Sequence, residues 1–244
     1  MSETDARAAR HALDQALEPG HLELPPGFAD AAERFVALLL DANRRLNLTR
    51  VVEPRAVAHL HLLDSLAALP ILDAIGPRKA LDLGSGGGVP GLVLALARPE
   101  VAWTLLDSVR KKADAMRSFV EALGLVNVEV VAERAEALGR DPTHRESHDL
   151  VTARACAALP VLVEYALPLT AVGGTLVAWK GPLADDELHA GRDAARLLGG
   201  DAPEVRPTGF AELGDHRFVV VAKSRPTSDA YPRRPGEPAR RPLA

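Results

Sequence analysis

The chain has 244 residues, 47% of them hydrophobic and 25% charged, which suits one globular unit with room for an appendage and excludes wholesale disorder or a fibrous repeat. One cysteine, Cys156, excludes an internal disulfide and a multi-thiolate metal centre, and 4% aromatics excludes base recognition chiefly by stacking platforms. The net charge of -4 rules out a general basic field, so a nucleic-acid partner has to be met by local patches.

Residues 1–76 read as an N-terminal helical cap within the same compact unit. The first ten residues mix acids with bases and hold no apolar run, unlike a signal peptide. Over residues 28–48, Phe35, Leu38, Leu39, Ala42 and Leu46 recur at helical spacing while Arg34, Asp41, Asn43 and Arg44 face water. Pro54 suits the first turn of another helix carrying Val57, Leu60, Leu62, Leu63, Leu66 and Leu69, and Pro70 closes that run. No apolar run reaches the roughly 20 residues of a membrane helix, so a cytoplasmic protein with no membrane partner is expected.

Residues 77–223 alternate strand and helix. Residues 80–83, 102–106, 128–131, 150–152, 175–179 and 218–222 read as strands, and residues 92–97, 109–123 and 185–198 as helices. This predicts an α/β fold, a mainly parallel sheet with helices on both faces. Residues 224–244 hold five prolines and no apolar period, which predicts a basic, proline-rich mobile tail. From Lys223 onward six basic residues face two acidic ones, leaving -8 for the rest of the chain.

The chemistry concentrates in Leu81-Asp82-Leu83-Gly84-Ser85-Gly86-Gly87-Gly88-Val89-Pro90-Gly91. A strand that ends in glycines and opens a helix lets a ligand approach the backbone, and the helix N-terminus offers unpaired N–H groups to an anion. Two patterns overlap there. Gly86-x-Gly88-x-x-Gly91 meets the dinucleotide fingerprint, whereas Asp82-x-Gly84-x-Gly86-x-Gly88 is similar to the nucleotide-side motif of Rossmann-like S-adenosylmethionine-dependent methyltransferases, whose ligand anion is the methionine carboxylate. Strand position favours the second, because the first would run the strand through Gly84-Ser85. Asp107, at the next strand end, can accept hydrogen bonds from both hydroxyls of a ribose; its alternative role is to cap the helix that follows.

A wider set of motifs extends the resemblance: Asn47-Leu48-Thr49, His61-Leu62-Leu63-Asp64-Ser65, the glycine loop, Leu105-Leu106-Asp107-Ser108, Arg110-Lys111-Lys112, Arg134-Ala135-Glu136, Ala153-Arg154-Ala155, Lys180-Gly181 and Tyr231-Pro232-Arg233-Arg234-Pro235-Gly236. In this order they resemble the bacterial small-subunit ribosomal RNA methyltransferase G family, also called glucose-inhibited division protein B. The resemblance implies a class I fold, S-adenosyl-L-methionine as cofactor, and methyl transfer to N7 of guanine 527 in the 530 loop of 16S ribosomal RNA. A monomer without metal, acting on the 30S subunit or an assembly intermediate, is expected. Cofactor contacts are expected at Gly84, Val89, Ala135, Glu136 and Arg154, beside Gly86, Gly88 and Asp107. The plainer alternatives are core packing for Val89, a solvated helix face for Glu136, and an ion pair with Asp149 or Glu164 for Arg154.

Two positions depart from the family pattern. Leu60 stands where many members carry a basic residue, and Cys156 stands where they tend to be apolar, so a buried packing thiol is expected. Guanine N7 has an in-plane lone pair and no proton, so no general base is needed and no catalytic residue is nominated. RNA contacts are expected from Arg44, Arg45, Arg50, Arg55, Lys180 and the tail arginines, with Arg110, Lys111 and Lys112 contacting RNA or offsetting nearby acids. His61, Asp64 and Ser65 imitate a hydrolase triad but lack a nucleophile elbow, so they are read as holding the cap to the cofactor domain. The rivals are a nicotinamide-dependent dehydrogenase and a non-catalytic ribosome-assembly or cofactor-binding factor.

Overall fold

The computed structural model describes residues 2–17 and 22–243; Met1 and residues 18–21 of the expected cap, and Ala244 of the expected tail, lie outside the described residues. The cap contains α1 (Ser2–Ala16), α2 (Phe28–Leu46), α3 (Pro54–Val57), a π-helical turn (Ala58–Leu63), α4 (Asp64–Leu66) and α5 (Leu69–Ile75). Pro70 lies in the first turn of α5 rather than closing the run, because a proline there forfeits no intrahelical bond. The stretch Pro54–Ile75 is therefore 22 residues long with a mean hydropathy of 1.3, enough by length and composition to cross a membrane, contrary to the expectation above. Its side chains are mostly buried within the protein, Leu62, Leu63, Leu66 and Leu69 among them.

The sheet contains β1 (Lys79–Leu83), β2 (Ala102–Leu106), β3 (Val128–Val131), β4 (His148–Arg154), β5 (Thr170–Lys180), β6 (Glu204–Pro207) and β7 (Arg217–Ala222), in the order β3-β2-β1-β4-β5-β7-β6. The first five pair in parallel, and β7 runs antiparallel to both β5 and β6. Central strands such as β1 and β2 are buried on both faces, which is why they read as unbroken apolar runs. β6 escaped notice because Glu-Val-Arg-Pro is a largely exposed edge strand with no apolar alternation. The chain leaves β1 for β2 and β3 on one side and finds β4 on the other, so a crevice opens at the carboxyl ends of β1 and β4.

Helices α6 (Gly91–Ala97) and α7 (Arg110–Leu123) share one apolar layer with the cap, where Phe35 of α2 meets Phe119 of α7 edge-to-face at 6.1 Å. The other face is covered by α9 (Leu159–Ala166) and α10 (Asp185–Leu197), with the short α8 (Ala135–Leu138) beside α9. The cap is thus one half of a core, not an attachment to it.

Residues 224–243, read from sequence as a mobile tail, instead lie strapped against the body and end in the short α11 (Glu237–Arg240). Arg145 donates to the carbonyls of Thr227, Ser228 and Tyr231, and Arg140 to those of Asp229, Ala230 and Pro232. At the root of the strap Lys223 is buried, its Nζ donating to Glu146 Oε1 at 2.6 Å and to the carbonyls of Leu167 and Thr170. Composition misled here because the donors that order the proline-rich segment belong to distant side chains.

His61 and His148 are buried, and burial pushes each down to about 4 from an ordinary 6.5; the Arg154 charge adds to the effect at His61. Both stay neutral in the folded state while the unfolded chain takes up protons below 6.5. Stability is then level above that pH and falls between about 6.5 and about 4, by at most about 1.4 kcal/mol per pH unit for each histidine. Urea unfolding at pH 7, 6 and 5 checks this; His148→Gln is expected to flatten the slope, and a wild-type midpoint independent of pH would refute it.

Candidate functional site

Asp82 organises the glycine loop. Fully buried on β1, it accepts the Thr152 hydroxyl of β4 at 2.8 Å and the Gly91 N–H of α6 at 3.1 Å, and burial raises its pKa. A Cβ on Gly91 would lie 2.7 Å from Asp82 Oδ2 and 2.4 Å from Leu105 Cδ2, so only glycine lets the helix begin this close to the strand. Gly84 and Ser85 both donate to Leu106 O, which draws the loop over the end of β2. Gly88 and Val89 N–H both turn back to Ser85 O, and both residues are buried. They shape the loop from behind, and for Val89 the plainer core reading matches its surroundings.

A cleft of about 210 Å³ lies at the carboxyl ends of β1, β2 and β3, lined by Gly84, Asp107, Ser108, Ala135, Glu136 and Tyr165 among others. Asp107 Oδ2 accepts Gly86 N–H at 2.9 Å and Oδ1 accepts Val109 N–H at 2.7 Å. The carboxylate therefore does stabilise the approach to α7, and it also ties the loops after β1 and β2 together; each oxygen keeps a second acceptor site. Glu136 is not on a solvated face. It is 2% exposed, and its Oε1 accepts Arg134 Nη2 at 2.9 Å and Gly236 N–H at 2.7 Å. Tyr165 comes from α9, a helix the sequence did not announce, so nothing in the pattern pointed to it.

Arg154 lies elsewhere. Its Nη1 donates to Asp64 Oδ2 at 3.0 Å and to Leu60 O, so its ion-pair partner is neither Asp149 nor Glu164. Asp149 accepts the N–H groups of Arg78 and Lys79, and Glu164 holds Arg233. Arg154 belongs to a second cleft of about 390 Å³, lined by Leu60, His61, Asp64, Trp179, Lys180 and His216 among others. Here Asp64, 1% exposed, meets His216 Nδ1 at 2.9 Å, while its carbonyl accepts Trp179 Nε1 at 2.8 Å. Ser65 donates to His61 O and His61 Nε2 meets Thr49 Oγ1 at 2.8 Å, so the three residues form no nucleophile relay; they join the cap to the sheet.

The turn after β4 separates the clefts, with Ala155 lining one and Cys156 the other, and Ala155 holds a left-handed φ of +53°. Cys156 is exposed as a residue rather than buried in packing, but its Sγ turns inward and donates to Leu83 O at 2.9 Å. Burial pushes the thiol up to about 12, so it remains protonated and a poor nucleophile at neutral pH.

Several expected RNA contacts are engaged internally. Lys180 pairs with Glu187 at 2.7 Å, Arg233 forks onto Glu164, and Arg44 and Arg45 each lie 3.9 Å from Asp41. Among the described residues, Arg50, Arg55, Arg234 and Arg241 are exposed and make no side-chain hydrogen bond or ion pair.

The loop geometry separates two glycines. Gly91→Ala is expected to cost about 2 kcal/mol or more, because backbone-held atoms have to move. Gly86 has a φ of +59° but nothing within 3.4 Å of a Cβ, so Gly86→Ala is expected to cost about 1 kcal/mol. Thermal unfolding of the two variants checks the order, and equal losses would contradict it.

A family model described as rRNA small subunit methyltransferase G matches residues 29–209. The ribosomal RNA small subunit methyltransferase G of Deinococcus radiodurans is 47% identical over 237 residues, covering 97% of this chain and 93% of that protein. That of Symbiobacterium thermophilum is 40% identical over 245 residues, covering 98% and 100%. Two solved structures are alike in fold: cofactor-bound Rv0187 from MTB (TM-score 0.54, 20% identity, 78% of this chain and 90% of that one) and a Methanococcus maripaludis protein assigned as an S-adenosyl-L-methionine-dependent methyltransferase (TM-score 0.55, 13% identity, 84% and 98%). With the Rossmann-like sheet and glycine loop in place, the chain belongs to the ribosomal RNA small subunit methyltransferase G family.

Proposed function

We propose that this protein transfers the methyl group of S-adenosyl-L-methionine to N7 of guanine 527 in the 530 loop of 16S ribosomal RNA. It does so in the cytoplasm, as a monomer without a metal ion, on the 30S subunit or an assembly intermediate. The observation that carries the reading is the Asp107 carboxylate, which fastens Gly86 at the mouth of a strand-end cleft in a chain of this family.

The residues present fit the cofactor. Gly84 leaves a cradle that a Cβ would fill, since it would come within 2.6 Å of Cys156 Sγ. Asp107 keeps acceptor sites for ribose hydroxyls, and Ala135 and Glu136, in the first turn of α8, offer N–H groups to the adenine edge. Gly86 holds Asp107 in place through its N–H, while Gly88 and Val89 set the loop's curvature. Bound in this cleft, the cofactor supplies an electrophilic sulfonium methyl.

Guanine N7 attacks with its own lone pair, so the protein removes no proton. Its task is to fix the acceptor in line, with reacting atoms about 3 to 3.5 Å apart, and to exclude competing approaches. The second cleft, across the 154–156 turn, suits the acceptor: Arg154 and His216 offer donors there, and Trp179 forms part of the wall. Arg154 is thus assigned to ordering the turn between cofactor and acceptor, through Asp64, rather than to the cofactor itself.

Incubating the protein and methyl-labelled cofactor with 30S subunits that lack the modification is expected to label a single guanine in the 530 loop; labelling elsewhere or none would refute the reading. Asp107→Ala removes charge-assisted hydrogen bonds worth about 1.5–3 kcal/mol, so cofactor affinity should fall roughly 10- to 100-fold by calorimetry. Cys156→Ser is expected to keep kcat within about twofold, since a protonated thiol takes no covalent part; a collapse of kcat would call for a covalent mechanism.

A further inference from the structure

Two buried carboxylates, one lining the cofactor cleft and one on the helix that supplies its Tyr165, are held by the strap. Glu136 lines the cleft and accepts Gly236 N–H at 2.7 Å. Glu164, fully buried, directly precedes cleft-lining Tyr165 and is gripped by Arg233 through its backbone N–H at 2.9 Å, its Nε at 2.9 Å and 3.1 Å, and its Nη2. Burial pushes the Glu136 carboxyl up, but the donors from Arg134 and Gly236 outweigh it and hold it below the usual carboxylate range. A carboxylate this deep is strongly disfavoured as an ion once its donors leave, so the strap fixes where both groups sit.

The same segment faces outward as well. Arg234, Arg240 and Arg241 are exposed within a few residues of Arg233 and Gly236. Among the described residues, none of these three arginines makes an ion pair, and Arg140 and Arg145 add further positive charge beneath the strap. One short element therefore carries an inner surface bonded to the cofactor wall and an outer surface suited to a phosphate backbone.

We propose that Arg233 and the Gly236 amide are positioning residues for cofactor binding, and that through them RNA held by Arg234, Arg240 and Arg241 tightens the cofactor cleft. This rests on the cofactor reading of that cleft. The coupling is mutual, because an RNA that raises cofactor affinity by a given factor has its own affinity raised by the same factor.

The test uses full-length variants, S-adenosylhomocysteine as calorimetric probe, and a 16S ribosomal RNA fragment carrying the 530 loop. Arg233→Gln is expected to raise the cofactor KM and the probe Kd roughly 5- to 20-fold with kcat within about twofold, and Arg233→Lys to restore most of the loss. The triple variant Arg234→Ala, Arg240→Ala, Arg241→Ala should bind the probe normally without RNA but lose, at saturating RNA, the affinity gain that wild type shows. A folded Arg233→Gln with unchanged KM and Kd overturns the inference, as does a fall in kcat at constant KM. If Arg233→Gln does not fold, the triple variant decides: an undiminished RNA-dependent gain overturns it. Asp107→Ala runs in parallel; if that variant also binds the probe normally, the cleft assignment has failed and the inference with it, whereas weakened Asp107→Ala beside unaffected Arg233→Gln refutes the strap alone.

Discussion

A carboxylate sealed inside a protein must find donors, and Asp82 finds them on two different elements, the Thr152 hydroxyl of β4 and the first amide of α6. That requirement fixes both ends of the loop between β1 and α6. With its ends fixed, the loop arches over Leu106 O, which accepts the N–H groups of Gly84 and Ser85. Its crest meets Asp107, which binds Gly86 and Val109 together. The cleft is what remains between these tied backbones and the first turn of α8. Its shape therefore descends from one buried carboxyl group through backbone geometry, and position 91, where that geometry leaves no room for a Cβ, is fixed as glycine although it lies outside the cleft lining.

The second joint works between the cap and the sheet rather than within the loop. Asp64 receives Arg154 from β4, His216 beside β7 and, at its carbonyl, Trp179 from β5. A helix of the cap is thereby locked to three parts of the sheet at the edge where acceptor chemistry is proposed. Such a joint is costly to break one partner at a time, because each loss leaves a buried group unsatisfied. The turn that follows Arg154 holds Ala155 in a left-handed conformation that an isolated alanine would leave.

Much of this was legible in the sequence. The strands of the parallel sheet stood out because burial on both faces demands continuous apolar runs, and the glycine loop because its backbone path excludes side chains. Asp107 was legible through its place at a strand end. What stayed hidden has a common cause: side chains that act at long range along the chain. The partner of Arg154 is 90 residues away, and Arg140 and Arg145 act on carbonyls more than 80 residues distant, separations over which no local pattern survives. The reading of residues 224–243 as mobile failed for that reason, and the pairing of Lys180 and Arg233 with glutamates stayed hidden for the same one, since no spacing rule connects them.

The strap also has an order in time. A chain emerges from the ribosome with its N-terminal residues first, so the cap, the glycine loop and the sheet are all outside before residues 233–236 appear. Until then Glu164 and Glu136 lack the donors that the strap brings, and the nascent molecule has a strand-end cleft with an unbraced wall. An enzyme of a ribosomal RNA small subunit methyltransferase family thus completes that wall only after its whole sheet has left a ribosome.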